Sequence, residues 1–215
     1  MTQLDCYIVR TDCVECVQTV GEHPNVRQLT ALPRDWILYE FHHEIFRDPD
    51  YLVEGTWEEK MTRSPRLRAL RIEMLNQERR LIAPYYKDLK VPSDARGVLG
   101  TSVCEYRICA KGRLRFPTFE HGSGWDNLAA FTLSLEAAPN RAAAALPELI
   151  SEWIECSQGS LTSMHHLQAI EGGFTLQGVC SGNSGHWFAA LWALLADVRW
   201  KTGVSNMRLR RDEGD

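Results

Sequence analysis

The chain has 215 residues, of which 44% are hydrophobic and 24% are charged. These values are typical of a globular protein with one ordinary domain and enough apolar residues for a core. The net charge of −4 argues against a nucleic-acid binder, whose surface would carry a basic stripe. Glutamates interrupt the arginines between positions 63 and 80, which favours a solvated helix face there.

The start of the chain and its cysteines indicate a cytoplasmic protein. No secretory signal is evident, because Asp5 and Cys6 follow the first residues at once. Seven cysteines, an odd number, predict reduced thiols in an intracellular compartment. The longest apolar run, 187–196, has about half of the roughly 20 residues that a membrane-spanning helix needs, so we expect no transmembrane anchor.

The first 33 residues are predicted to form a short, irregular N-terminal extension. Apolar and polar residues alternate over 4–8, which indicates a short strand, and glycine and prolines mark a loop over 20–33. A helical pattern begins at Asp35, with apolar residues every four positions until Asp48-Pro49 ends the run. The residues that define this first helix are Ile37, Phe41 and Ile45.

A second amphipathic helix is predicted from Ser64-Pro65, an N-cap followed by proline in the first turn. Its apolar face consists of Leu67, Leu70, Met74 and Leu81. Pro84 should end or kink it near Ala83. Residues 91–117 leave two alternatives open, a hairpin that turns at Lys111-Gly112 or a short irregular helix followed by a loop.

The third predicted helix, Trp125–Ala138, is expected to be the centre of the fold. Ser123 and Asp126 have the spacing of a capping box, and small alanines beside the apolar face would let neighbours approach closely. That apolar face consists of Leu128, Phe131 and Leu135.

Two more helices complete the prediction. Apolar residues from Leu146 to Ile154 form the cleanest helical stripe, and a last helix carries Trp187, Leu191, Leu194, Leu195 and Val198 on one face. A glycine-serine loop, 178–185, separates them. We therefore expect an all-α fold, with a helical bundle domain over 34–200 and a polar tail over 201–215.

The motif around Trp125 resembles the first homology motif of the Bcl-two family of apoptosis regulators. Three further segments stand in the order of the other family motifs: Arg34–Phe41, Leu70–Met74 and Gln168–Phe174. The chain departs from the family in lacking an arginine after Trp125, where the sequence has Asp126 and Asn127. The resemblance implies a divergent member of the kind found in viruses.

Such a protein would regulate apoptosis, with an anti-apoptotic role, by holding the amphipathic death helix of a partner in an apolar groove. No catalysis and no cofactor are implied, and a homodimer is left open. The protein would be cytoplasmic and would reach mitochondria only through a partner. The residues that would form this partner-binding groove are Leu70, Met74, Ile82, Tyr86, Leu114, Trp125, Asn127, Leu128, Phe131, Gly173 and Phe174.

Three other interpretations compete with this one. Four cysteines at loose spacing, Cys13, Cys16, Cys104 and Cys109, form a candidate zinc set, against the alternative of buried free thiols. Ser184 and His186 stand in a glycine-rich loop, as a serine nucleophile and its base would, although no orienting acid is evident. The third is a small cytosolic inhibitor of the immunity type, which would cap a partner enzyme through an exposed acidic face.

Overall fold

The computed structural model describes residues 4–86, 104–121, 129–138, 143–157, 161–180 and 185–212. Within these ranges the chain forms nine strands and six α-helices, with short 3-10 turns at Glu44–Arg47 and Ala143–Ala145. In chain order the elements are β1 (Leu4–Arg10), α1 (Val14–Gly21), β2 (Val26–Leu32), β3 (Trp36–Phe41), α2 (Pro49–Leu52), α3 (Trp57–Arg63), α4 (Pro65–Tyr86), β4 (Cys104–Cys109), β5 (Thr118–His121), β6 (Ala129–Ala137), α5 (Leu146–Cys156), β7 (Leu161–Ile170), β8 (Gly173–Cys180), α6 (Gly185–Ala196) and β9 (Val204–Arg211).

The strands form two sheets with related connectivity. The first sheet has the order β2-β3-β1-β4, and the second has the order β5-β9-β6-β8-β7. Each half of the chain contains a β-α-β-β-α-β series, with three helices, α2 to α4, in the second helical position of the first half. In both halves the strands lie in the order second, third, first, fourth, which is the arrangement of the split β-α-β motif. The halves differ in the last strand, because β4 is parallel to β1 whereas β9 is antiparallel to β6.

Helix α6 is the centre of the molecule. Every residue from Trp187 to Ala196 is buried, and a helix that is apolar on all sides must be covered on all sides. It belongs to one apolar cluster that includes Ile8 and Leu38 of the first sheet and Leu133 and Leu209 of the second. The two sheets therefore share this helix as their common core.

The outer layers differ on the two sides of the core. On the far face of the first sheet, Tyr7 and Phe41 pack with Cys16 and Val20 of α1, and Met74 of α4 contacts the same cluster. On the far face of the second sheet no helix of the described ranges packs, and exposed Arg208 and Arg210 alternate there with buried residues of β9. From one side to the other, the described layers are α1 with α4, the first sheet, α5 with α6, and the second sheet.

Local signals explain where the short helices begin. Asp48 accepts a hydrogen bond from the Asp50 backbone and precedes the proline that starts α2. Thr56 and Glu59 form a reciprocal capping box at the start of α3, which satisfies two backbone donors of the first turn. These two caps place α2 and α3 against the start of α4.

The prediction of an all-α bundle is wrong. The segment expected as the central helix contains strand β6, in which Phe131, Leu133 and Leu135 are buried at every second position. A short apolar run can satisfy both periods, and here the pairing with β8 and β9 selects the strand. The chain is therefore not a Bcl-like helical bundle.

Two other segments that carried the resemblance also contain strands. The predicted opening helix contains β3, which pairs with β1 and β2 and is covered on both faces. The motif segment Gln168–Phe174 forms the tip of the β7–β8 hairpin. Of the two alternatives for 91–117, the hairpin had a strand where β4 lies, but β4 pairs in parallel with β1 and Leu114 bridges to Asp197, so no hairpin forms there; residues 91–103 lie outside the described ranges.

Other expectations are confirmed. The start of α4 lies at Pro65, the stripe from Leu146 forms α5, and the last apolar run forms α6. The strand expected over 4–8 is β1. The segments predicted as an extension and a polar tail supply β1, β2 and β9 to the sheets, while the division into domains stays a prediction.

Among the helices that the structure describes, none is both long enough and apolar enough to cross a membrane.

Candidate functional site

The residues predicted to form a death-helix groove are distributed over two separate parts of the molecule. Leu70 and Met74 pack beside the small cluster at the start of α4, on the far side of the first sheet. Leu114, Phe131 and Phe174 pack on the central cluster instead, with Gly173 at the start of β8. Trp125, Asn127, Leu128 and the side chains of Ile82 and Tyr86 lie outside what the structure describes.

A cleft opens at the C-terminal end of α6. Its volume is about 520 Å³, within the range of small-molecule sites. The walls come from the end of α6, the loop that follows it and the segment that precedes β5. The lining residues are Arg113, Arg115, Leu195, Ala196, Asp197, Val198, Lys201, Thr202, Gly203 and Val204.

Backbone contacts hold the two walls of the cleft together. The Arg115 N–H donates to the Ala196 carbonyl at 2.8 Å, and Leu114 forms a bridge with Asp197. The Thr202 hydroxyl donates to the Leu195 carbonyl at 3.2 Å, which satisfies a carbonyl at the end of α6. The cleft is thus built on the rigid central helix.

Asp197, at the base of the cleft, is buried and fully compensated. Arg199 Nη2 donates to its Oδ2 at 2.7 Å, the Trp36 indole N–H donates at 3.3 Å, and Arg10 Nη1 lies 3.9 Å from Oδ1. Burial raises the pKa of Asp197, but hydrogen bonds from Arg199 and the charges of Arg199 and Arg10 outweigh it, so the net shift is downward. The carboxylate is therefore ionised and already neutralised by protein cations.

Three other cations of the cleft have no such partner. The side chains of Arg113, Arg115 and Lys201 are exposed, and in the described part of the chain none of them makes an ion pair or a hydrogen bond. Because the carboxylate of Asp197 is satisfied elsewhere, these three charges leave the cleft with an excess of positive charge. Such a site attracts an oxyanion.

A second polar cluster lies at the opposite end of α6. The buried carboxylate of Glu40 accepts from Arg27 Nη2 at 2.7 Å and lies 2.6 Å from His42 Nε2. Burial lowers the pKa of His186 to about 4, although the charge of Glu40 acts in the opposite direction. Glu40 is thus the acid near His186 that the sequence did not reveal, whereas Ser184 lies outside the described residues.

The lowered pKa of His186 predicts a stability that depends on pH. The folded state holds the imidazole neutral, so its contribution is complete above pH 6.5 and is lost as the pH falls toward about 4. Urea midpoints of the wild type should fall across this window. In His186→Gln the urea midpoint should fall less over the same pH range. The pH dependence that remains should come from His23 and His43, whose pKa values are also lowered by burial.

A matched control for this experiment is His166→Gln, which removes an exposed histidine of β7. It should keep the full pH dependence of the wild type. Equal pH dependence in His186→Gln and the wild type would contradict the burial argument.

Two of the four cysteines in the candidate zinc set are joined to each other. Cys13 is the N-cap of α1 and forms a disulfide with Cys16, so the expectation of reduced thiols is wrong for this pair. Cys109 is a buried free thiol on β4, and burial raises its pKa to about 12. Among the described residues no group of three or more histidine, cysteine or acidic side chains is placed to hold a metal ion.

The cleft was not predictable from the sequence because its cations come from distant positions of the chain. Arg113 and Arg115 precede β5, whereas Lys201 follows α6. One local signal was present, a basic residue beside Thr202-Gly203 directly after an apolar helix.

No protein-family model, no curated protein and no solved structure matches the chain. The class is therefore defined by fold and site alone: two β-α-β-β-α-β units around a shared buried helix, with a basic cleft at the end of that helix.

Proposed function

We propose that the protein binds a small molecule carrying an oxyanion, a carboxylate or phosphate group, in the cleft at the end of α6. One observation carries the proposal: Arg113, Arg115 and Lys201 surround the cleft without partners in the described chain, while its only lining carboxylate is already paired. Arginine presents a planar pair of donors that matches two oxygens of such a group.

The walls of the cleft also favour a ligand with an apolar part. Leu195, Val198 and Val204 line it beside the cations, and a small-molecule site typically combines apolar walls with a few placed polar groups. The net charge of the whole chain is −4, so the attraction is local to the cleft and does not extend over the surface. A long polyanion is therefore a poor candidate.

Calorimetric titration tests the proposal with inorganic phosphate and citrate as probes and glycerol as a neutral comparison. Both anions should bind saturably, and binding should weaken as salt is added because the cations are exposed. Arg115→Gln and Lys201→Gln should each weaken binding about five- to tenfold, the effect expected of a charge-assisted hydrogen bond near solvent.

The matched control is Arg210→Gln, which removes an exposed arginine at the other end of β9. Its affinity for phosphate should equal that of the wild type. The absence of saturable binding by both anions, or an equal loss in Arg210→Gln, would reject the proposal.

The two functions predicted from the sequence are affected differently. Death-helix binding required a groove between helices, and three of the four segments that carried it contain strands, so we do not retain it. Capping of a partner enzyme does not depend on a helical fold and stays a prediction, with a pull-down for an enzyme partner as its test.

A further inference from the structure

The Cys13–Cys16 disulfide lies next to the ion-pair network that holds Asp197 in the wall of the oxyanion cleft. Asp12, which directly precedes Cys13, pairs with Arg10, and its Oδ2 lies 3.6 Å from Arg199 Nη1. Arg199 in turn holds Asp197 at the base of the cleft. A chain of charged contacts therefore connects the disulfide turn with the cleft.

A second connection reaches the opposite wall. Glu15 stands between the two cysteines, and its Oε2 lies 3.1 Å from Lys111 Nζ, two positions before Arg113. The Cys13 N–H also donates to the Arg10 carbonyl at 3.1 Å, which fixes the turn against the end of β1. The turn that carries the disulfide thus contacts segments leading to both walls.

We propose that Cys13–Cys16 is a redox site that controls oxyanion binding, an inference that rests on the proposed function of the cleft. The disulfide holds the first turn of α1 and so keeps Asp12 on Arg199 and Glu15 on Lys111. When the bond is reduced, the two cysteines separate and the turn is free to move. Asp12 then moves away from Arg10 and Arg199, and the positive charge that it had offset adds to the attraction of the cleft for the bound anion.

The reductant belongs to the class of dithiols. One thiolate of the dithiol attacks a cysteine sulfur, forms a mixed disulfide and releases the other cysteine as a thiolate, which takes up a proton. The second thiol of the reductant then attacks the mixed disulfide. The reductant then carries an internal disulfide, and the second cysteine leaves as a thiolate that is protonated. In total the protein gains two electrons and two protons.

Access to the sulfurs requires the first turn of α1 to open. Cys13 and Cys16 are 0% and 1% exposed, but Val14 between them is 61% exposed, and Cys13 makes no side-chain capping bond. The pair is therefore buried beneath a turn whose outer side is exposed. Reduction should be slow compared with that of an exposed disulfide, and complete at sufficient dithiol.

The experiment compares the oxidised protein with protein treated with dithiothreitol. Three measurements are made: the number of thiols labelled by maleimide, hydrogen exchange of the segment 197–203, and the Kd for inorganic phosphate. We expect two additional labelled thiols, faster exchange over 197–203, and a Kd lowered about fivefold, at the lower end of typical couplings between sites. Cys13→Ser/Cys16→Ser should behave as the reduced protein does and should not respond to dithiothreitol.

The matched control is Cys156→Ser, which removes a partly exposed free thiol. It should respond to dithiothreitol as the wild type does. Failure of the native protein to gain two thiols, or a gain that leaves exchange over 197–203 unchanged, would overturn the redox proposal. If oxidised protein does not bind phosphate while exchange still responds to reduction, the proposed function fails and the link between disulfide and cleft stands.

Discussion

Replacing Gly173 by alanine should destabilise the protein by about 3–5 kcal/mol, one of the largest effects expected of any single methyl group. Gly173 begins β8, where it pairs with Glu136 of β6. A Cβ at this position would lie 1.9 Å from the backbone oxygen of Leu135. That oxygen belongs to a central strand, so it cannot move without disturbing the pairing of β6 with both neighbours. The free energy of unfolding, from urea titration followed by circular dichroism, measures the effect.

The adjacent glycine supplies the matched control. Gly172 has a φ of +78° in the hairpin turn, and a Cβ there would meet nothing within 4 Å. Gly172→Ala should therefore cost only the strain of a left-handed alanine, about 1–2 kcal/mol. Similar losses in the two variants would show that the close approach at Gly173 is not as tight as the structure has it.

Replacing Trp192 by alanine should also cost about 3–5 kcal/mol, because it empties the middle of the shared core. Trp192 lies on α6 and is 1% exposed. Its ring centroid is 4.4 Å from that of Phe116, and its indole N–H donates to the Pro117 carbonyl at 2.7 Å. The substitution therefore removes a large apolar volume and also leaves a buried carbonyl without its donor.

Trp192→Phe separates these two effects. It keeps most of the ring volume and removes the hydrogen bond, so we expect a loss of about 1–2 kcal/mol. Urea unfolding should rank the proteins as wild type, Trp192→Phe and Trp192→Ala in order of decreasing stability. A Trp192→Ala protein within about 1 kcal/mol of the wild type would contradict the central position of α6.

The sequence by itself determined the elements whose signals are local. A proline after an N-cap set the start of α4, and a clean stripe of apolar residues gave α5. The apolar run 187–196 marked α6, although a single buried face was expected where all sides are covered. In each case the information lies within a few turns of one helix.

Only the tertiary structure decided between helix and strand for the shorter apolar runs. Phe131 and Leu135 satisfy a helical spacing, but with Leu133 they also satisfy the period of a strand, and pairing with β8 and β9 decides the matter. The same holds for β3, whose residues are covered by both α1 and α6. A strand receives its hydrogen bonds from distant parts of the chain, so its own sequence does not specify them.

The candidate site depended on tertiary structure to a still greater degree. Arg10 and Asp197 are far apart in sequence, yet they meet at the end of α6, and Arg113 faces the same cleft as Lys201. Cys13 and Cys16 are close in sequence, but only the tertiary structure shows that ion pairs of Asp12 and Glu15 connect their turn with Arg199 and Lys111. Hydrophobic periodicity indicates which face of an element is buried, but it does not indicate which other elements pack beside it. A site is formed by residues from several such elements. Their arrangement is fixed by the packing of two sheets on one helix.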